Sequence, residues 1–250
     1  MKLLCIAAVS FSAAFVPLAL DASLVHDAIS GVSHTTEEVS TADVVEAIET
    51  GSAVVIDARP REEYDLGHIP GAVFLPGKPG MPASSHTADA AQAGEFAKHD
   101  DALILYCNGL HCGKTKRLAD DLIAAGYTNV RRYQLGIPVW RALGGVVRVD
   151  AAAAVRALEA DATAVLIDAR PAEAYEEGSV PGARNVSPDQ VIAAEDDGRL
   201  PMTDHNTRLF VFAESEAEAR AAAEGLTSKG FHNVGFIAGS ANDLLAGWGR

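Results

Sequence analysis

The sequence predicts an α/β protein built from two tandem copies of one domain, each a mainly parallel central sheet flanked by helices. Three observations carry that prediction. The chain has 250 residues, enough for two domains of roughly 100–150 residues each. It contains a long internal repeat. Val54 to Ala72 reads VVIDARPREEYDLGHIPGA, Val165 to Ala183 reads VLIDARPAEAYEEGSVPGA, and 12 of the 19 positions agree at a constant offset of 111. Finally, apolar runs of strand length alternate with helical patterns along both halves, as in sheets built from strand–helix–strand units.

Each element follows in order. Helices are expected from Ser40 to Glu49 and from Asp150 to Ala160, with Ser40 and Asp150 as N-caps. Strands follow at Ala53–Asp57 and Ala164–Asp168. Residues 78–101 are rich in Gly, Pro, Ser and Ala, which predicts a surface excursion with one short helix. ALILYC (Ala102–Cys107) and RLFVFA (Arg208–Ala213) are apolar on both faces, the mark of strands inside a parallel sheet. Helices at Lys114–Ala125 and Glu216–Lys229 come next. In AGYTNVRRY and KGFHNVGFI a glycine then ends the helix and a short strand begins. The copies are placed at 36–147 and 148–250. The junction at Val146–Asp150 is short, so the two are expected to pack together.

Ahead of the repeats, Leu3 to Leu20 is uncharged, with Lys2 before it and Asp21 after it. A positive start, an apolar stretch and small residues are the pattern of a secretory signal peptide spanning 1–22, so a periplasmic or secreted location is expected. The rival reading is a retained membrane anchor, because about 18 apolar residues could just cross a bilayer. Cleavage would remove Cys5 and leave two cysteines, Cys107 and Cys112, in an oxidising compartment.

Composition narrows the function. Lys plus Arg total 20 against 34 Asp plus Glu, a net charge of −14. That disfavours sequence-independent nucleic-acid binding and docking on anionic lipid. Three cysteines exclude a disulfide-stapled scaffold and a four-cysteine zinc site. The acidic excess is greater in the second copy. In the first, Lys114, Lys116, Arg117, Arg131 and Arg132 gather in sequence around the cysteines, as a solvated face or as a cationic rim for an anionic substrate.

The most informative segment is CNGLHCGK, Cys107 to Lys114, between a buried strand and a helix. Gly109 and Gly113 permit the torsions a tight curl requires. Successive N–H groups of Asn108, Gly109, Leu110, His111, Cys112 and Gly113 can then form an anion-binding cradle at the helix N-terminus, with Lys114 beside it. A thiol in such a cradle has its thiolate stabilised. The competing reading is a buried strand cysteine with no chemistry.

These motifs resemble the rhodanese-like sulfurtransferases in their tandem-domain form, over roughly residues 36–250. The resemblance rests on VVIDARPREEYDLGHIPGA, on the LILYC loop and on GIPVWRALGG at Gly136–Gly145. It implies that Cys107 is a nucleophile that takes a sulfane sulfur from a donor such as thiosulfate, carries it as a persulfide and hands it to a thiol or other thiophile. It gives Asp57 and Arg59, the family's Asp-x-Arg pair, a supporting role. It implies no cofactor and no metal. The loop departs from both the cationic loop of thiosulfate users and the glycine-serine-glycine type of mercaptopyruvate users. Gly113 stands where a phosphatase relative needs an arginine, so phosphatase activity is rejected. The second copy has Ala213 in place of Cys107 and a shorter loop with Glu214 and Glu216, which would repel an anion.

Cys112 has three readings: a bystander, a resolving thiol that forms a disulfide with Cys107, or a metal ligand with Cys107 and His111. The last is disfavoured, because a tight loop rarely presents three convergent ligands. His68 is expected to be structural and Trp140 to be core. The sequence therefore points to an exported sulfurtransferase acting on a small sulfur compound. The alternatives are a non-catalytic sulfur- or partner-binding module and a dithiol redox protein using Cys107 and Cys112.

Overall fold

A computed structural model describes residues 36–81 and 88–248. The expected signal peptide, and Cys5 with it, lies outside the described residues. Thr35–Arg250 form one unit that holds both copies.

The first copy opens with α1 (Thr41–Thr50). Ser40 and Asp43 close a reciprocal capping box, with the Ser40 N–H donating to Asp43 Oδ2 at 2.7 Å. β1 (Val54–Asp57), α2 (Arg61–Leu66) and β2 (Val73–Phe74) follow. A 3₁₀ helix at Ala90–Glu95 is the short helix expected in the 78–101 excursion. β3 (Leu103–Tyr106), α3 (Lys114–Ala124), β4 (Val130–Tyr133) and α4 (Gly136–Ala142) complete the copy. All strands are parallel, in the order β2-β1-β3-β4. Every side chain of β3 is fully buried. That is why its sequence is uniformly apolar and not alternating.

The second copy repeats the plan. It comprises β5 (Val147–Val149), α5 (Ala151–Ala160), β6 (Val165–Asp168), α6 (Ala172–Glu177), β7 (Arg184–Asn185), α7 (Val191–Asp196), β8 (Leu209–Phe212), α8 (Glu216–Thr227), β9 (Val234–Ile237) and α9 (Ala241–Gly247). Its sheet runs β5-β9-β8-β6-β7, again parallel. Asp150 caps α5 by accepting from the N–H groups of Ala152 and Ala153.

One expectation needs correction. The junction at 146–150 is an edge strand of the second sheet, not a plain connector. Val147 and Val149 point inward and Arg148 outward, a period of two in three residues, too short to read as a strand from sequence. The first copy has the same feature in reduced form: Arg132 N–H donates to Glu37 O, and Val39 N–H donates to Arg132 O, both at 2.9 Å.

The copies do pack together. One apolar cluster joins Val39, Ile104, Trp140 and Val147 to Leu166 and Phe210. Trp140 is core as expected, and its indole N–H donates to Val146 O at 2.9 Å. Gly145 lies so close to that indole that a Cβ there would sit 2.4 Å from Nε1. Between the repeats, His68 and Arg148 exchange backbone hydrogen bonds of 3.1 and 2.9 Å. Arg148 also pairs with Glu216 at 2.7 Å.

His68 is structural, as expected. It is buried, its ring is stacked on Tyr64 at 3.8 Å, and Nδ1 lies 2.9 Å from Tyr64 O. Burial, more than any neighbouring charge, pushes its pKa below the usual histidine value. The unfolded chain therefore takes up the His68 proton first, and that stabilisation is lost as pH falls below about 6.5. Thermal unfolding followed from pH 7.5 to pH 5 should show a falling midpoint. His68→Gln should flatten the part of the slope that histidine contributes.

Candidate active site

Asp57 ends β1 at the carboxyl edge of the sheet, the usual place for a site in parallel α/β folds. Its carboxylate is fully buried and fully occupied. It accepts from the Arg59 N–H at 2.9 Å, from Arg59 Nε at 3.0 Å and Nη2 at 2.6 Å, and from the Tyr106 hydroxyl at 2.6 Å. Arg59 Nη2 also donates to Gly67 O at 2.7 Å, and Tyr106 Oη accepts from Ile69 N–H at 3.1 Å. Burial opposes the Arg59 charge, but the hydrogen bonds and charge of Asp57 outweigh it and raise the guanidinium pKa. Burial first, and the Asp57 charge second, push Tyr106 well above the usual tyrosine value.

The second copy shows what this pair is for. Asp168 and Arg170 repeat it, including Nη2 to Asp168 Oδ2 at 2.7 Å and to Gly178 O at 2.7 Å. Phe212 stands where Tyr106 stands and has no hydroxyl. Ser179, at the place of His68, donates to Asp168 Oδ2 at 2.6 Å instead. A copy without the cysteine keeps the pair fully bonded, so Asp57 and Arg59 hold the strand end and the turn at Gly67.

Cys107 follows Tyr106 and is buried. Its sulfur is bonded to that of Cys112, with the two Cα atoms 6.3 Å apart. Of the three readings of Cys112, the disulfide is the one present. The loop between them is held from several sides. The Cys107 carbonyl accepts from Ile137 N–H at 3.1 Å, and Cys112 N–H donates to Gly109 O at 2.9 Å. Gly109 is buried with φ 102, so its glycine is required. Gly113 has an ordinary φ of −75. There the constraint is space, because Arg117 Nη1 would lie 3.2 Å from an added Cβ. The Asn108 side chain donates to Glu63, while Leu110 and His111 are exposed at the apex.

α3 starts at Lys114 with no side-chain cap. Its first N–H groups therefore face the loop without a side-chain acceptor, and Lys114, Lys116 and Arg117 crowd the positive end of the helix. A bound anion would relieve that arrangement. Arg132 does not belong to this rim. It is fully buried, with Nη2 on Glu38 at 3.1 Å, Nε on Thr36 at 2.7 Å and Nη1 on Gln134 at 2.8 Å. Another cation, Arg141, reaches Asn233 from α4. Burial first, then the charges of Arg59 and Arg208, lower its pKa to about 10.

The sequence reading missed Glu63, Gln134 and Gly136. Gln134 Nε2 lies within 3.4 Å of the carbonyls of Gly109, Leu110 and Cys112, so one amide gathers three loop carbonyls on one side. Its Oε1 is fixed by Arg132 and by the Thr115 hydroxyl at 3.2 Å. Gly136, with φ 62, lets α4 approach so closely that an added Cβ would sit 2.2 Å from Cys107 O. The glycine was visible in GIPVWRALGG, but only the fold puts it beside the loop.

In the second copy, β8 ends at Phe212 and α8 begins at Glu216, leaving three residues where the first copy has seven. Ser215 closes a capping box with Glu218, so this helix N-terminus is already satisfied. Glu216 is committed to Arg148 and to Gly239 N–H, which corrects the expectation that it repels anions. Glu214, Glu173 and Asp189 instead line a cavity of about 380 Å³ beside Ala213.

Two substitutions test this geometry. Gly136→Ala should destabilise the fold by about 2 kcal/mol or more, because the blocking atoms are backbone. Gln134→Ala should cost about 2 kcal/mol, because it also takes an acceptor from the buried Arg132 guanidinium, and should speed proteolysis or hydrogen exchange selectively across residues 108–113. Denaturant unfolding and exchange mass spectrometry would check both.

The rhodanese-like domain profile matches residues 40–143 and 150–246. An HTH-type transcriptional regulator of Mycobacterium tuberculosis is 31% identical over 111 residues, 43% of this chain and 43% of that protein, so the chain spans less than half of that relative. Among solved structures, a thiosulfate sulfurtransferase from Pseudomonas aeruginosa is 19% identical over 84% of this chain and 42% of its own, with a TM-score of 0.37. The 3-mercaptopyruvate enzyme SseA of Escherichia coli is 22% identical over 82% of this chain and 99% of its own, with a TM-score of 0.36. The chain belongs to the rhodanese-like domain family and carries two such domains in tandem, only the first with a cysteine at the end of its third strand.

Proposed function

We propose that this protein is a sulfurtransferase whose first domain carries sulfane sulfur on Cys107 once the Cys107–Cys112 disulfide is reduced. Family membership supports sulfur transfer in general. The observation that carries the finer reading is the placement of Cys107 at the mouth of an uncapped helix whose first turn is cationic. That site stabilises a thiolate and an anionic sulfur adduct alike. The reduced Cys107 thiolate attacks the outer sulfur of a donor such as thiosulfate. The donor S–S bond breaks, sulfite leaves with its electron pair, and Cys107 holds a persulfide. A thiophile then attacks the outer sulfur and Cys107 departs as thiolate. The partners are a small sulfur compound and a thiol or other thiophilic acceptor. No cofactor or metal enters, and neither nucleic acid nor a membrane is a partner of the folded domains.

The apolar segment ahead of the repeats supports export to a periplasmic or extracellular compartment, where the disulfide is the standing form. No helix among the described residues is long and apolar enough to cross a membrane. The second domain acts as a scaffold, since Ala213 has no nucleophile. The disulfide itself favours a second reading, a dithiol redox protein that exchanges electrons and never carries sulfur.

Intact-mass measurement discriminates the two. Protein reduced, desalted and treated with thiosulfate should release one sulfite per chain. Cys107→Ser should release none and gain no sulfur. An unreactive reduced protein that still oxidises and reduces reversibly would support the redox reading instead.

A further inference from the structure

We infer that Cys112 is the thiol that resolves the persulfide on Cys107, so that loading the loop ends in release of hydrogen sulfide and in the disulfide. This rests on the persulfide reading above and names the group that discharges the persulfide at that same site.

The loop places the two sulfurs in bonding contact, on Cα atoms 6.3 Å apart, inside the usual span for a disulfide. That approach is enforced by more than the bond. Cys112 N–H is held by Gly109 O, the Cys112 carbonyl by Gln134, and the Cys107 carbonyl by Ile137 N–H. None of these contacts uses a sulfur atom, so opening the bond removes none of them. A nucleophile so confined acts at an effective concentration no free thiol reaches. It therefore competes with any dissolved acceptor.

The chemistry balances without an outside oxidant. The Cys112 sulfur attacks the inner sulfur of the Cys107 persulfide and forms the Cys107–Cys112 bond. The bond from Cys107 to the outer sulfur breaks, and that sulfur leaves as hydrosulfide with the electron pair. The Cys112 proton goes to solvent or to the leaving sulfide. The sulfane sulfur is reduced to sulfide and the two thiols are oxidised to a disulfide. With thiosulfate as donor, thiosulfate and two thiols become sulfite, sulfide and one disulfide. A further turnover needs a dithiol reductant. Cys107 is 2% exposed, whereas Cys112 is partly exposed beside the exposed Leu110 and His111. The reductant therefore attacks Cys112 and frees Cys107 as the leaving thiolate.

The test uses full-length protein, reduced, desalted and held anaerobic, with thiosulfate and separately with 3-mercaptopyruvate. Wild type should release one sulfide per chain and end two hydrogens lighter than the dithiol, with no lasting sulfur adduct. Cys112→Ser should keep one added sulfur on Cys107 and release sulfide at least ~100-fold more slowly. A lasting adduct on wild type without sulfide would overturn the inference, and that result needs no variant. So would sulfide release from Cys112→Ser at the wild-type rate. If neither protein takes up sulfur or releases sulfite or sulfide with either donor, the persulfide reading fails first and the inference falls with it.

Discussion

The buried aspartate–arginine pair at the end of the first strand is the constraint on which both domains depend. Asp57 has no solvent contact and four donors from two residues, and Arg59 carries the link on to Gly67. A buried carboxylate is tolerable only when paired and fully bonded. Between Arg59 and Gly67 the chain forms one short helix, Arg61–Leu66, and Arg59 Nη2 reaches past it to the Gly67 carbonyl. From that turn, residue 68 bonds to the junction strand and fixes one copy against the other. The fold is thus anchored at the same strand edge where the cysteine loop leaves the sheet.

The two copies act as an internal control. Tyr106 and Phe212 differ by one hydroxyl, and that hydroxyl's bond to the aspartate is restored by Ser179 from another element. The core position stays aromatic and the carboxylate keeps its donor. At the position of the cysteine the two copies differ more. Beside Ala213 the loop is shorter, a serine caps the helix N-terminus, and carboxylates line the neighbouring cavity. The pair is present in both copies, with and without the cysteine, so it serves architecture. Of the two copies, only the one with the cysteine has the long loop and the open helix end. In both copies the carbonyl after the central strand accepts from the helix after the last strand, Ile137 N–H in one and Ala241 N–H in the other. The anchor beneath the loop is common, and only what stands on it differs.

Much of this was legible in the sequence, for reasons specific to each element. The repeat, the N-caps at Ser40 and Asp150, the buried central strands and the glycine stops at Gly126 and Gly230 are local signals, and the structure follows them. Strands of two or three residues, β2, β5 and β7, carry too little pattern to be seen. Arg132 looked like part of a cationic surface because its partners, Thr36 and Glu38, lie more than ninety residues away. Gln134 looked like an ordinary polar residue at a strand end. Its importance comes from three carbonyls contributed by a loop more than twenty residues upstream. Cys112 was visible as a neighbour of Cys107, but spacing alone left its role open.

In the proposed function the Cys107 loop is reactive only in its dithiol form. The direct measurement is the initial rate of sulfite release from thiosulfate, with cyanide as acceptor. It is taken on one preparation before and after reduction, with the reductant removed and free thiols counted. The proposed function predicts no sulfite from the disulfide form and, with reductant absent, about one sulfite per pair of thiols recovered. Equal rates before and after reduction, with Cys107 and Cys112 still joined in the first sample, would contradict it.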